Sequence, residues 1–212
     1  MTYQEYADKQ IADARKHFEE HVANFVEIKG EHPIQILDWR MASGDCWYHV
    51  RYLFDPKGGT ITISGDLGWA VVVPTWRADF QSTVSVGVNP HYFLEKVRAT
   101  SDRYEYDREE VEKGLTEKFK ELREEWSEEK KEDWFDDLEY DVDNVMSCFD
   151  HAEGFKLCDA TAIKTLNFYD DRYYEWLYSL GRHYHGRIWL WLVGLKMANE
   201  QLEAAKGGKE GA

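Results

Sequence analysis

Two histidines near the N-terminus have the spacing of a metal-binding motif. The string His17-Phe-Glu-Glu-His21 matches H-x-x-E-H, in which two histidines one helical turn apart bind zinc and the glutamate activates water. On a helix, however, Glu20 would lie on the side opposite Phe18, which belongs to an apolar stripe. We therefore favour a solvated helix flank. The alternative is a metal-dependent hydrolase that uses His17, His21 and a distant carboxylate.

The densest acidic stretch of the chain lies at residues 133–143 and could bind a cation or a basic protein. It lacks the central glycine and the closing glutamate of a calcium-binding EF-hand loop. Aromatic residues are interleaved with the acidic ones, as is common at protein interfaces. We therefore predict a partner-binding surface, with an ordinary solvated helix face as the alternative. Its acidic residues are Asp133, Asp136, Asp137, Glu139, Asp141 and Asp143.

A second candidate surface is the segment Gly65-Asp66-Leu67-Gly68, followed by Trp69. Glycine permits positive φ and aspartate caps its own turn, so a structural turn explains this pattern. A further role for Asp66 and Trp69 in partner binding stays open.

Motifs of familiar enzyme chemistry are missing from the sequence. It contains no Gly-x-Ser-x-Gly elbow, no P-loop and no Gly-x-Gly-x-x-Gly. His183 and His185 are two residues apart and would not share a helix face. We therefore predict no catalytic residue, no metal and no cofactor, and we favour a non-enzymatic protein over an enzyme.

Negative charge is concentrated in one part of the chain. The formal net charge is −15, and residues 101–150 carry 20 acidic and 8 basic residues, a net of −12. Such a segment repels nucleic-acid phosphates and attracts basic protein surfaces. We therefore expect no direct binding of nucleic acid, and we expect a cation or a protein with a basic surface as the partner.

The elements that must position these residues follow from hydrophobic periodicity. Apolar residues at spacings of three and four predict an N-terminal helix running to about Glu27. Four short β-rich runs joined by turns predict a four-stranded antiparallel meander over about 34–73. Two further stripes, with Ser127 between them as a plausible N-cap, predict an acidic helical hairpin, with one kinked long helix as the alternative. A connection is expected at 154–165, and helices at about 168–180 and 186–204 complete an α+β fold.

Organisation and location follow from composition. With no repeat and no Pro/Gly/Ser-rich linker, we predict a single α+β domain over 1–206 and a disordered tail at 207–212. Three cysteines without a pairing pattern and no signal-like N-terminus favour a reducing cytoplasm. The most apolar run, Ile188 to Leu195, is too short to span a membrane. If that run cannot be buried within one chain, a homodimer built on it becomes the alternative.

The segment from Trp47 to about Val97 resembles small accessory proteins carried by bacteriophages and prophages. The resemblance rests on an aromatic-rich strand, the Gly65-Asp66-Leu67-Gly68 hairpin and the following His-Tyr-Phe-Leu-Glu-Lys-Val segment. It covers about a quarter of the chain. Such proteins include anti-CRISPR and other anti-defence inhibitors. The resemblance therefore implies an inhibitor that acts in the cytoplasm of a bacterial host, where its partner is a host protein with a basic nucleic-acid-binding surface. A structural or assembly protein with a homo-oligomeric interface is the alternative from another class.

Overall fold

The computed structural model describes residues 2–101, 103–126 and 137–207. The chain forms two compact units. Unit 1 comprises Met1–Arg103 and His185–Ala212, and unit 2 comprises Tyr104–Tyr184. The single domain over 1–206 stays a prediction, because two compact units can still fold cooperatively.

Unit 1 is built on a six-stranded antiparallel sheet whose strands follow one another in chain order. The predicted meander over 34–73 is confirmed as its four central strands, and so is the α+β class. One further strand on each side makes the sheet wider than predicted. The strands are β1 (His21–Ile28), β2 (Ile34–Met41), β3 (Val50–Asp55), β4 (Thr60–Gly65), β5 (Ala70–Val72) and β6 (Val97–Thr100).

The prediction of one N-terminal helix to about Glu27 is wrong beyond its first part. Helix α1 (Tyr3–His17) begins at a capping box formed by Thr2 and Glu5, and Phe18 caps its end. The chain then turns into β1, which pairs with β2 along its full length, from His21 opposite Met41 to Ile28 opposite Ile34. Val22 and Phe25 are three residues apart, which fits the helical period, and in the strand they face opposite sides of the sheet. Pairing with β2 nevertheless makes this segment a strand.

Three more helices complete unit 1. They are α2 (Phe80–Ser85), α3 (Pro90–Leu94) and α7 (Gly186–Gly207). The core of unit 1 includes the fully buried side chains of Trp39 and Tyr52, and the Tyr52 hydroxyl donates a 2.7 Å hydrogen bond to the carbonyl of Trp191 on α7. Burial raises the pKa of Tyr52 well above its ordinary value. The residue Gly194 allows α7 to approach Trp39 and Tyr52 closely.

Unit 2 is mainly helical. Its core is formed by buried apolar residues that include Val111, Leu115, Phe119, Val145 and Leu166. Its elements are β7 (Tyr104–Tyr106), α4 (Arg108–Glu124), α5 (Leu138–Met146), β8 (Phe149–Asp150), β9 (Gly154–Phe155), α6 (Ala160–Tyr169), two single-turn 3-10 helices (Tyr173–Glu175 and Leu177–Ser179) and β10 (Arg182–Tyr184).

The predicted helices of this region are only partly right. The stripes expected on the acidic hairpin lie on α4 and α5, whereas Ser127 and Trp134 lie outside the described residues. A helix, α6, occupies the second half of the segment predicted as a connection, and Asp159 caps its start by accepting hydrogen bonds from two backbone N–H groups. The helix predicted at about 168–180 is replaced by the end of α6 and the 3-10 turns. The last predicted helix is confirmed as α7.

Within the described residues, no helix combines the length and the apolar character needed to cross a bilayer.

Candidate partner-binding surfaces

The charge asymmetry of the chain follows the division into two units. Unit 2 contains 24 acidic and 11 basic residues, a net of −13, whereas unit 1 contains 17 acidic and 15 basic residues, a net of −2. Nearly all the excess charge of the protein therefore belongs to one compact body. Such a body has a one-signed field that extends about a Debye length, roughly 8–10 Å, into solvent.

Two of the predicted acidic residues lie on an exposed surface of α5. Glu139 and Asp143 are exposed and one helical turn apart, and neither has an ion-pair or hydrogen-bond partner among the described residues. The side chain of Tyr140, between them in sequence, is 60% exposed. This pair and its neighbouring ring form a small acidic and aromatic surface in unit 2.

Among the other acidic residues predicted in this stretch, Asp137 has a structural role. Asp137 is the N-cap of α5, and its carboxylate accepts a 3.0 Å hydrogen bond from the backbone N–H of Tyr140. This bond satisfies one of the free N–H groups at the helix start. Asp133 and Asp136 lie outside the described residues.

Asp141 corrects the expectation of a fully exposed acidic run. Its side chain is 2% exposed, and its Oδ2 accepts hydrogen bonds from Arg123 Nη2 at 2.9 Å and from the Tyr169 hydroxyl at 2.7 Å. Burial and the bond to Asp141 raise the pKa of Tyr169. Asp141 therefore lies in the interior of unit 2, because its position on α5 faces α4 and α6 rather than solvent. It holds these helices together and is not part of an exposed surface.

In unit 1 the predicted turn and the loop before β3 are joined by hydrogen bonds. The backbone N–H of Tyr48 donates to the Asp66 carboxylate at 3.0 Å, and the N–H of Asp66 donates to the carbonyl of His49 at 2.9 Å. The turn forms as predicted, with Gly65 at φ +132° and Gly68 at φ +85°. The Asp66 carboxylate therefore organises the neighbouring loop, and among the described residues it accepts no hydrogen bond from its own turn, where the sequence predicts a cap.

The joined loops expose two tryptophans. Trp69, which the sequence analysis singled out, is 49% exposed, and Trp47 in the preceding loop is 71% exposed. The sequence pattern did not point to Trp47, because the second β-rich run of the meander, Cys46 to Phe54, reads as one continuous strand that includes it. In the structure β3 begins only at Val50, and Trp47 lies in the loop before it. Large exposed aromatic side chains on ordered loops are frequent anchors of protein interfaces.

The histidines of the H-x-x-E-H string do not share a helix. His17 is the last residue of α1, and His21 is the first residue of β1. The buried His21 ring has its Nε2 3.2 Å from the carbonyl oxygen of Trp47, and burial lowers its pKa. The helical spacing that the zinc-hydrolase alternative requires is therefore not formed. Among the described residues, no group of three or more His, Cys, Asp or Glu side chains could hold a metal ion.

A charged cluster that was not predicted comprises Asp38 on β2, Arg51 on β3 and His49, which directly precedes β3. Arg51 donates from Nε and Nη2 to the two carboxylate oxygens of Asp38 at 2.7 and 2.9 Å, and His49 Nε2 lies 3.2 Å from Asp38 Oδ1. The hydrogen bonds from Arg51 lower the pKa of Asp38. The signal was the opposite charge of two residues that face each other in the β2–β3 register.

Comparison with known proteins identifies one family. A family model described as a phage family, Phage_phiTE_072, matches residues 27–183. Comparisons with curated proteins and with solved structures found no match. The matched segment begins within β1, contains the rest of the sheet and ends within β10 of unit 2.

Proposed function

The chain belongs to a family of phage proteins, and from this premise we propose that it is a non-enzymatic inhibitor of a host defence protein that handles nucleic acid. Its acidic unit 2 binds the basic surface on which the host protein holds DNA or RNA, and it competes with the nucleic acid for that surface. The observation that supports this proposal is the net charge of −13 in unit 2 against −2 in unit 1.

Electrostatic attraction would speed the association of such an inhibitor with its partner and would favour partners of opposite charge. A body with a one-signed field is steered towards a surface of opposite charge, which raises the association rate and makes binding weaken as salt is added. The same field repels nucleic acid, so the inhibitor and the nucleic acid compete for the host surface without binding each other.

Exposed groups in unit 2 provide the contact chemistry. The carboxylates of Glu139 and Asp143 have no ion-pair partner among the described residues, so contact with a lysine or arginine breaks no internal pair. Tyr140 adds an aromatic ring that is 60% exposed. Rings of this kind contribute much of the binding energy at protein interfaces. The sequence prediction of this surface also includes Asp133 and Asp136, which lie outside the described residues.

The test measures displacement of nucleic acid. Wild-type protein captures its partner from a bacterial lysate after nuclease treatment, and the purified partner is then bound to labelled DNA or RNA and titrated with the phage protein. Wild type should release the nucleic acid, and release should weaken as salt increases. A variant with Asp133→Asn, Asp136→Asn, Glu139→Gln and Asp143→Asn should be at least about tenfold weaker, given about 0.5 kcal/mol for each charge.

The matched control neutralises four acidic residues of unit 1. These are Asp8→Asn, Glu19→Gln, Glu20→Gln and Glu31→Gln, all exposed, and this variant should release nucleic acid as wild type does. Equal inhibition by wild type and the unit 2 variant would overturn the proposal. So would a captured partner whose nucleic acid is never displaced.

An assembly protein with a homo-oligomeric interface is the second candidate. The Ile188–Leu195 run, on which the sequence prediction of a homodimer rests, is buried in the core of unit 1 except for the half-buried Leu190, so little of it is left for a second copy. What favours the candidate instead is the edge strand β1, where Val22, Val26 and Ile28 are 41%, 48% and 52% exposed. A dimer mass in light scattering that Val26→Lys reduces to a monomer mass would support it.

A further inference from the structure

Unit 1 contains a pocket of about 240 Å³ between α1, the loop before β3 and the start of α7. One wall is a single face of α1, on which Gln10, Asp13 and His17 follow one another at helical spacing. Tyr48 and Trp189 form part of the remaining lining. The pocket is distinct from the acidic surface of unit 2 and from the Asp38–Arg51 pair.

Stacked aromatic rings line one part of the pocket. The rings of His17 and Tyr48 are 4.6 Å apart between centroids, with 23° between their planes. Tyr48 is held at φ +56°, in the left-handed region. A bulky residue in that region costs of order 1–3 kcal/mol, and such outliers concentrate where a side chain is positioned for binding. The Tyr48 conformation places its ring against His17 at the pocket.

Two polar side chains of the pocket have no partner among the described residues. They are the Asp13 carboxylate and the Gln10 amide, although Lys9 and Lys16 lie one helical turn from Asp13 on α1. A carboxylate that lines a pocket beside aromatic rings is suited to a ligand that brings positive charge. The ligand would pair with the carboxylate and lie on the rings.

The helix ends at the pocket do not reverse this preference. His17 ends α1, and the C-terminal end of a helix carries about half a negative charge. Gly186, which begins α7 and also lines the pocket, contributes about half a positive charge from the opposite end of a helix dipole. These two contributions offset each other, and Asp13 is the one carboxylate among the residues that line the pocket.

We propose that this pocket binds the guanidinium group of an arginine side chain. Guanidinium is planar and delocalised, so it stacks on aromatic rings and donates to a carboxylate and to an amide oxygen in one plane. The compact ammonium of lysine is strongly hydrated and uses flat rings less well. An anion would be repelled by Asp13, and an apolar ligand would leave Asp13 and Gln10 without partners. The assignment of the arginine to the host protein rests on the proposed function, whereas the pocket chemistry does not.

The probe is N-acetyl-arginine methylamide, titrated into the full-length protein and followed by two-dimensional NMR of the Tyr48 amide and the Trp189 indole N–H. These signals should shift and saturate in the millimolar range expected for one stacked ion pair. The citrulline analogue has the same shape without the charge, and it should bind at least about fivefold more weakly. The lysine analogue should also bind at least about threefold more weakly.

Two variants on the same helix separate the pocket charge from the overall charge. Asp13→Asn should weaken arginine binding at least about fivefold, whereas Asp8→Asn, which removes the same charge outside the pocket lining, should change it less than about twofold. Tyr48→Phe, which keeps the ring, should bind as wild type does. The absence of saturable shifts, equal binding of arginine and citrulline or lysine, or equal effects of the two aspartate variants would each overturn the proposal.

Failure of this proposal is distinguishable from failure of the proposed function. If the pocket binds the arginine probe and no host protein is inhibited, the function fails and the pocket stands. If inhibition is lost only when the acids of unit 2 are neutralised and the probe does not bind, the pocket fails and the function stands. If the two proposals hold together, Asp13→Asn should also weaken release of nucleic acid by at least about threefold.

Discussion

The backbone N–H of Tyr48 donates a 3.0 Å hydrogen bond to the carboxylate of Asp66, and this bond joins two loops of unit 1. Tyr48 has φ +56°, a conformation that is unfavourable for a bulky residue. The bond to Asp66 and the stacking of the Tyr48 ring on His17 offset that cost. The loop is therefore ordered by its neighbours, and it carries the exposed Trp47.

The strain at Tyr48 can be measured by comparing two substitutions. Tyr48→Gly and Tyr48→Ala both remove the ring, but only glycine adopts φ +56° without steric cost. We expect the glycine variant to be more stable than the alanine variant by about 1 kcal/mol, opposite to their usual order in ordered segments. Urea unfolding measures both free energies. An alanine variant as stable as the glycine variant would show that the loop relaxes to an ordinary conformation.

The stability of the protein should depend on pH through His21. Burial lowers the pKa of His21 below its ordinary value of 6.5, since the ring packs against Phe18 and Trp39. The unfolded chain therefore binds the proton at a higher pH than the folded chain does. The contribution of His21 is fully present above about pH 6.5 and is lost as the pH falls towards the folded-state pKa.

We expect the free energy of unfolding to rise with pH up to about 6.5 in wild type, and to rise less steeply in His21→Gln. Glutamine keeps a donor for the carbonyl of Trp47 but does not titrate. Urea unfolding at a series of pH values measures the two slopes. Parallel slopes would contradict the assignment of the pH dependence to this buried ring.

Two aspartates on α5 should respond differently to the same substitution. Asp141→Asn removes the charge that pairs with Arg123, whose side chain is only 16% exposed. We expect a loss of about 2–4 kcal/mol of stability, because this buried ion pair loses its negative charge. Asp143→Asn, at an exposed position of the same helix, should change stability by less than about 0.5 kcal/mol. Thermal or urea unfolding compares them, and equal losses would contradict the burial of Asp141.

The close packing of α7 on the sheet predicts a steric effect at Gly194. An added Cβ there would lie 3.1 Å from Trp39 Cδ1 and 3.2 Å from the Tyr52 hydroxyl, and both side chains are fully buried. Gly194→Val should therefore destabilise the protein by about 1–3 kcal/mol. The control is Gly207→Val at the open end of α7, where nothing lies within 4 Å. A Gly194→Val protein as stable as this control would show that the two rings can move aside.

The central sheet was predictable because its signal is local. The strands β2 to β5 alternate buried and exposed residues and are joined by short turns, so period and turn chemistry suffice to place them. The outer strand β1 was not predictable in the same way. The apolar residues at 22 and 25 are three positions apart and fit a helix continuing from α1 better than a strand, and the strand depends on hydrogen bonding to β2.

The candidate sites could also be predicted only in part. The acidic character of residues 133–143 and the turn around Asp66 could be predicted from residue types. The burial of Asp141 could not, because it depends on the side chains of Arg123 and Tyr169, which come from other helices. The pocket beside Asp13 was missed altogether, since Tyr48 and Trp189 meet α1 only in the folded chain.

Periodicity, turn residues and charge are local properties, so they suffice to predict the α+β class, the central meander, the final helix and the concentration of negative charge. Which carboxylates are available to a partner is a property of the folded chain. Availability depends on whether a side chain meets a cation from another element: Asp141 meets Arg123 and is buried, whereas Asp13 and Glu139 meet none among the described residues. Side-chain contacts of this kind depend on long-range packing, which residue types and their spacing along the chain do not specify.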